Sequence, residues 1–227
     1  WSALPPLTSF EGERILALAP DLVLVHEWQN AETVAGLRRA GVPVLSVAVP
    51  QSWSEITATL ELLGIALGVP ERAQSLRQQL EARRVELAER ARPFAALRAL
   101  SYTNLGAGGW TSGAATTGQI LLELAGLHNA AAEAGLVGDV GADQERLLAL
   151  APDLFVVGRP DRSERSPPSA EFLLAEPALA GLEAIRARRI VALPPELFTS
   201  ASPELLAGAE AIIAALEELG LGAAEGR

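Results

Sequence analysis

Histidine and aromatic side chains are the residues of this 227-residue sequence best suited to holding a ligand. His26 follows the apolar run LVLV, at the carboxyl end of a predicted strand, where open α/β sheets place their ligands. Trp28, Trp53, Trp110 and Phe198 are predicted to lie in loops after strands, where a large apolar face can hold a flat or apolar ligand. Packing in a core is the alternative interpretation for each aromatic side chain.

Catalytic and metal-binding motifs give no positive signal. The sequence contains no cysteine and only two histidines, His26 and His128, which argues against thiol catalysis and against a tight zinc site. The glycine-rich segment GAGGWTSG, residues 106–113, lacks the Lys and the Ser or Thr of a P-loop and does not fit the spacing G-x-G-x-x-G. We interpret it as a turn that either is purely structural or lets Trp110 project into a cleft. We therefore predict no catalytic residue, no metal site and no cofactor.

The charge balance narrows the class of partner. The sequence has 28 acidic and 18 basic residues, a formal net charge of -10, and every basic residue is Arg. Duplex nucleic acid requires a basic stripe, which is not visible, so we predict no nucleic-acid partner. An acidic surface suits a basic protein partner that is steered electrostatically. The sequence contains no run of about 18 uninterrupted apolar residues, so no membrane-spanning helix is predicted.

The elements that would position these residues include a short sequence segment that occurs twice. ERILALAPDLVLV, residues 13–25, and ERLLALAPDLFVV, residues 145–157, each predict a short helix, a stop at the proline, and a strand. The runs LVLV and LFVV are typical of strands buried on both faces of a parallel sheet. The repeat therefore predicts an α/β protein with two lobes.

Further elements fall between and after the two copies. Asn30 and Gly41 bound a predicted helix that leads to the strand VPVLSVAV, and SWSE at residues 52–55 predicts a capping box. Residues 71–92 predict one long charged helix, either a solvated surface helix or a rigid link between lobes, and the two are compatible. We predict an N-terminal lobe at 1–70, the linking helix at 71–92 and a C-terminal lobe at 93–227. Each lobe should hold a mainly parallel sheet flanked by helices.

The combined stretches resemble one known family. They are the first repeat copy with NAETVAGLRRAGVPVLSV, then GGWTSGAATTGQILLELAGLHNAAAEAGLVGD, then QERLLALAPDLFVV and LFTSASPELLAGAEAI. Together they resemble substrate-binding proteins of ABC importers for cobalamin, heme and iron siderophores, in the family's order and over most of the chain. Members begin with a strand and a helix before the region that matches residues 1–12, and we expect the first lobe here to lack them.

The resemblance implies two α/β lobes joined by one long helix, with a ligand cleft between them. It implies transporter docking by one glutamate in each lobe, Glu32 and Glu145, which would meet arginines on the membrane permease. Ser200 stands where the cobalamin binder carries an arginine near its ligand, and His26 or Tyr102 would be the iron ligand if heme is bound. The implied ligand-binding residues are His26, Glu27, Trp28, Trp110, Phe198 and Ser200.

The resemblance also implies the function. We expect an extracytoplasmic protein, compatible with a lipid anchor in the full-length form, that captures a metal chelate and delivers it to an ABC permease dimer. Cobalamin or a ferric siderophore is expected before heme, and the protein is expected to be monomeric. The alternative is a two-lobe enzyme or scaffold that binds a metal cluster or nucleotide in the cleft.

Overall fold

The computed structural model describes residues 9–104, 106, 108–159 and 167–222. It divides into two compact units, Trp1–Val49 and Pro50–Arg227, which we call the first and the second unit. Both contain strands and helices, so the predicted α/β class is confirmed. The division into an N-terminal lobe, a linking helix and a C-terminal lobe at residues 70 and 92 stays a prediction.

The first unit contains one βαβ arrangement. Its elements are α1 (Gly12–Leu16), β1 (Val23–His26), α2 (Ala31–Arg39) and β2 (Val44–Val47). β1 and β2 pair in parallel, with Val23 opposite Val44 and His26 opposite Val47. The predicted helix start and stop are confirmed, because the Asn30 side chain accepts from the Thr33 N–H and Gly41 has a φ of 82°.

The prediction that both repeat strands are buried on both faces is wrong for the first copy. Val25 is 7% exposed, but Leu24 is 46% exposed and His26 is exposed as well. Alternate residues of a strand point to opposite faces, so one face of β1 is covered and the other is open. The described part of the first unit pairs β1 with β2 alone, which leaves too few elements to cover both faces.

The second unit contains the remaining elements. Its helices are α3 (Trp53–Ala66), α4 (Pro70–Ala91), α5 (Thr117–Leu124), α6 (Ala130–Glu133), α7 (Gln144–Leu150), α8 (Pro168–Ala175), α9 (Glu183–Arg186), α10 (Pro195–Phe198) and α11 (Glu204–Glu218). Two short 3₁₀ turns lie at Arg92–Phe94 and Pro177–Leu179. Its strands are β3 (Arg98–Asn104), β4 (Gly109–Ser112), β5 (His128–Asn129), β6 (Asp139–Gly141), β7 (Leu154–Gly158) and β8 (Ile190–Leu193).

The described strands of the second unit form one mixed sheet in the order β6-β4-β3-β7-β8, and β5 also pairs with β3. β3, β7 and β8 are parallel, whereas β4 runs antiparallel to β3 and to β6. The chain leaves β3 toward β4 on one side and leaves β7 toward β8 on the other. The carboxyl ends of β3 and β7 therefore form a topological switch point, where open α/β sheets bind ligands.

The second repeat copy behaves as predicted. All of Leu154, Phe155, Val156 and Val157 in β7 are fully buried, and they alternate between two apolar clusters on opposite faces of the sheet. Ala151, before the proline, has a φ of 39°, and Ala19 at the same place in the first copy has a φ of 46°. A left-handed alanine thus precedes the proline in both copies. In the second copy it is the C-cap of α7, whereas α1 ends at Leu16 with Ala17 as its cap.

The long predicted helix is confirmed as α4, which packs against α3 and α11. The predicted N-cap of α3 is confirmed, since Ser52 accepts from the Glu55 N–H. Glu55 reaches back to the N–H of Gln51, one residue before the cap, and not to that of Ser52 as a capping box would. Two ion pairs connect α4 with α11. Arg83 lies 2.8 Å from Glu210 and Arg90 lies 3.0 Å from Glu217, and both guanidinium groups donate to both carboxylate oxygens.

Candidate functional site

The first group of candidate residues follows β1, at the carboxyl end of the first unit's sheet. His26 ends β1, and its ring lies edge-on to Trp28 with ring centroids 5.9 Å apart. The Trp28 side chain is 76% exposed, so its indole is accessible to a ligand. The structure therefore brings His26 and Trp28 together as one exposed aromatic pair.

The hydrogen bonds of His26 determine what its ring can do. The backbone N–H of Trp28 donates to Nδ1 of His26 at 3.1 Å, so in the neutral ring the proton must be on Nε2. Nε2 lies 3.1 Å from the side-chain nitrogen of Gln29, which only donates, so a proton on Nε2 requires the Gln29 amide to turn its oxygen toward the ring. Histidines that bind a metal through Nε2 carry their proton on Nδ1 instead. Iron ligation by His26 through Nε2 would therefore require the Trp28 hydrogen bond to break.

Glu27 has a structural partner. Its carboxylate accepts from the backbone N–H of Val49 at 3.1 Å. This bond connects the end of β1 with the segment that follows β2, and it fixes the loop that carries His26 and Trp28. A ligand-binding role for Glu27 stays a prediction.

The second group lies on the second unit, where the glycine-rich segment forms a strand and not only a turn. Gly109–Ser112 is β4, and Trp110 is paired with Thr103 of β3 in antiparallel register. Paired residues project from the same face of a sheet, so the Trp110 indole, 54% exposed, lies beside Thr103. Gly106 and Gly108, with φ values of 92° and 108°, form the connecting turn, whose residue 107 lies outside the described residues.

A pocket of about 200 Å³ lies at the topological switch point. The strand ends contribute Thr103, Asn104, Gly158 and Arg159, and the helices beyond them contribute Ser169 and Phe198. Asn104 and Ser169 are held together, because the backbone N–H of Asn104 donates to the Ser169 hydroxyl at 2.9 Å. The pocket thus combines polar and cationic groups with the edge of one aromatic ring.

Phe198 lines this pocket but is largely buried. It is 6% exposed, and a Cβ added to Gly158 would lie 2.7 Å from its ring, so the ring packs directly on the backbone of β7. Ser200 is half-buried, and its hydroxyl lies 2.6 Å from that of Ser202. Ligand contact by Phe198 and Ser200 stays a prediction, with Phe198 presenting an edge to the pocket at most.

Tyr102 projects from the opposite side of β3 and is not available to a bound iron. It is 1% exposed, and its hydroxyl accepts a hydrogen bond from the Asn104 side chain at 3.1 Å. Its ring is stacked on Phe172 and lies edge-on to Phe155. His26 thus remains the only one of the two predicted iron ligands that is exposed.

Burial raises the pKa of the Tyr102 phenol, and the hydrogen bond from Asn104 opposes that shift. A raised pKa in the folded state means that Tyr102 contributes stability below about pH 10, and that this contribution is lost as the pH rises through the folded-state pKa. We expect the unfolding free energy of the wild type to fall more steeply above about pH 10 than that of Tyr102→Phe.

Tyr102 is the only tyrosine, and the sequence contains no lysine or cysteine, so few other groups titrate in this range. Tyrosinate absorbance during an alkaline titration reports its pKa directly, and urea unfolding at each pH reports the stability. Parallel pH profiles for the wild type and Tyr102→Phe would contradict this expectation.

The two predicted docking glutamates occupy equivalent positions. Glu32 is the second residue of α2 and Glu145 the second residue of α7, and both are exposed. Each helix is capped by the residue before it: Asn30 accepts from Thr33 and Asp143 accepts from Arg146, both at 2.9 Å. Glu145 also borders a second pocket, of about 480 Å³, beside Tyr102 and Phe172.

The described residues were also compared with the requirements of other sites. They contain no group of three or more His, Asp or Glu side chains that could hold a metal ion. His128 lies in β5, and its Nδ1 lies 3.1 Å from the Glu133 carboxylate. Within the same residues, no helix is both long enough and apolar enough to span a membrane.

Arg159 is not among the residues predicted from the sequence. It follows the buried run LFVV by two residues, as Glu27 follows LVLV, so its place at the end of a strand was readable from the repeat. Its proximity to Thr103 and Phe198 was not readable from the sequence, because both residues are distant from it in sequence and lie beside it only in the pocket.

Known proteins were compared with the whole chain. The family described as periplasmic binding protein matches residues 7–197. A curated relative, the uncharacterized ABC transporter substrate-binding lipoprotein YvrC of Bacillus subtilis (strain 168), is 26% identical over 204 residues. The match covers 87% of this chain and 62% of YvrC, so the chain spans less than two thirds of that relative's length.

Two solved structures extend the comparison. The periplasmic heme-binding protein RhuT from Roseiflexus sp. RS-1, in apo form, is 31% identical with a TM-score of 0.77, covering 90% of this chain and 80% of RhuT. A periplasmic heme-binding protein from Pseudomonas aeruginosa is 30% identical with a TM-score of 0.76, and the match covers 90% of this chain and 74% of that protein.

The family match includes both repeat copies, the long helix α4 and all described strands of both sheets. It confirms the resemblance found in the sequence and the extracytoplasmic location that the resemblance implied. The chain belongs to the periplasmic binding protein family.

Proposed function

We propose that this protein captures a heme-type iron chelate outside the cytoplasm and delivers it, unaltered, to the permease of an ABC importer. The main support is the similarity at 30% identity or more to two periplasmic heme-binding proteins. That similarity favours heme as the ligand to test first, ahead of the cobalamin or siderophore expected from sequence. Delivery to a permease, a monomeric state and a lipid anchor in the full-length protein are parts of the same proposal.

The exposed tryptophans support a role in holding a flat ligand. Trp28 and Trp110 are 76% and 54% exposed. Trp28 lies in the loop after β1, and Trp110 lies in β4 opposite Thr103, near the carboxyl end of β3. An indole presents a large rigid face at little entropic cost, and a porphyrin is a flat apolar ring that can stack on it. We propose that each indole is a ligand-contacting group of its own unit.

Titration with hemin tests the proposal. We expect saturable quenching of tryptophan fluorescence and a shift in heme absorbance, and we expect the ligand recovered afterwards to be chemically unchanged by mass spectrometry. Cobalamin and a ferric hydroxamate are titrated in parallel. Saturation by either of these without any response to hemin would reject heme, and chemical conversion of the bound ligand would reject a purely binding role.

Trp110→Ala is expected to weaken hemin binding about tenfold, because a lost aromatic contact costs on the order of 1.4 kcal/mol. The matched control is Trp53→Phe, which removes a tryptophan outside the proposed site. Trp53 is partly buried, and its indole N–H donates to Glu81. Equal hemin affinity in Trp110→Ala and Trp53→Phe would exclude the Trp110 contact.

A further inference from the structure

We propose that Arg159 binds a carboxylate of the ligand and makes the second unit selective for chelates that carry free carboxylate arms. This inference rests on the proposed function, because it assigns a recognition element for a heme-type ligand. It adds a residue and a ligand group that neither the resemblance nor the relatives provided.

The backbone fixes Arg159 at the edge of the sheet. Its N–H donates to the carbonyl of Leu193 at 2.7 Å, which extends the pairing of β7 with β8 by one residue. The guanidinium therefore starts from a rigid element at the switch point between β3 and β7, and not from a free loop. A binding residue on a rigid strand end loses less conformational freedom when it binds its ligand.

The surroundings of Arg159 suit a carboxylate on an apolar body. The Arg159 side chain is exposed and lines the same pocket as the Thr103 and Thr199 residues and the ring of Phe198. Trp110, opposite Thr103 in the hairpin, adds an exposed apolar face on the side of that pocket. A ring system lying on the indole could extend a short acidic arm toward the guanidinium.

The charge of Arg159 is not neutralised within the described part of the chain. There its side chain makes no hydrogen bond or ion pair, whereas Arg83, Arg84 and Arg90 are each paired with a glutamate. An unpaired guanidinium in a protein with a net charge of -10 is a ready binding partner for an anion. Its planar fork matches a carboxylate with two parallel hydrogen bonds.

Heme is the chelate that offers such a group, through its two propionates. The corrin ring of cobalamin carries amides at its edge, which give a guanidinium far weaker partners than an ionised carboxylate does. The arginine thus favours heme over cobalamin, on chemical grounds that are independent of the relatives.

Hemin and hemin dimethyl ester, whose propionates are blocked, separate charge recognition from ring binding. We expect the wild type to bind hemin about tenfold more tightly than the ester, and Arg159→Gln to bind both with the affinity of the ester. Arg159→Lys keeps the charge without the fork and should be intermediate. The control is Arg72→Gln, which removes an exposed arginine in the first turns of α4 and should leave both affinities unchanged.

The outcomes separate the inference from the proposed function. In one case the wild type binds hemin and Arg159→Gln leaves that affinity unchanged, or lowers the affinities for hemin and for its ester equally. Either result would reject carboxylate recognition by Arg159 but not the proposed function. If the wild type does not bind hemin at all, the proposed function fails and this inference fails with it.

Discussion

Reversing the charge of both Glu32 and Glu145 to arginine is expected to lower ligand transport at least about tenfold while leaving ligand affinity unchanged. The two glutamates are exposed, each in the first turn of a helix with a side-chain cap. If arginines on the permease receive them, as the resemblance implies, the reversal replaces attraction with like-charge contacts that cost several kcal/mol. Transport and importer ATPase activity in proteoliposomes measure the effect.

A matched charge reversal elsewhere provides the control. Glu71 and Glu204 are exposed and lie in the first turns of α4 and α11. Changing both to arginine alters the net charge by the same amount and opposes the helix dipole in the same way, at about 0.3–1 kcal/mol per site. Equal transport by the two double variants would remove the docking role. Each single variant should lie between the double variant and the wild type.

Phe155→Ala is expected to lower the free energy of unfolding by about 3–5 kcal/mol, the usual cost of deleting a buried phenyl ring. Phe155 is fully buried in β7, between Leu100 of β3 and Ile190 of β8, and its ring contacts Tyr102 edge-on at a centroid distance of 6.2 Å. The surrounding strands are fixed by their hydrogen bonds and cannot collapse into the cavity. Urea unfolding followed by far-ultraviolet circular dichroism measures the loss.

Phe172→Ala separates burial from ring contact. Phe172 stacks on the same Tyr102 ring at 6.2 Å but is only partly buried, at the edge of the same cluster. Its loss should cost clearly less than that of Phe155, because water already reaches part of the ring. A smaller cost for Phe155→Ala than for Phe172→Ala would show that the burial of β7 is not the main source of stability here.

The fold was predictable where local signals and tertiary packing agree. The capped helices, the long helix α4 and the buried strand β7 all follow from caps, turn residues and apolar runs of the expected length. β4 was not predictable in this way, because its apolar Trp110 is exposed and its polar Thr111 is buried, which reverses the usual pattern. Thr111 is accepted there because its hydroxyl donates to the Ser101 carbonyl at 2.7 Å.

The candidate site was predictable only as a list of residues. Position after a predicted strand identified His26, Trp28 and Trp110 as candidates, since apolar runs are visible in the sequence. Trp110 nevertheless lies within β4 and not in a loop. Burial was not visible, and it separates Trp110 from Tyr102, which is distant from solvent although it lies on the strand next to β4. Long-range contacts such as that between Arg159 and Phe198 require the fold itself.

The paired charges between α4 and α11 restrict how these helices can change during evolution. Arg83 and Arg90 are seven residues apart, as are their partners Glu210 and Glu217. Loss of one member leaves an unmatched charge beside an apolar contact, whereas exchange of both members preserves the pair. The two positions of each pair should therefore covary among homologues, and each pair should vary independently of the other. We expect this even though each ion pair adds only about 0–1 kcal/mol to the free energy of unfolding.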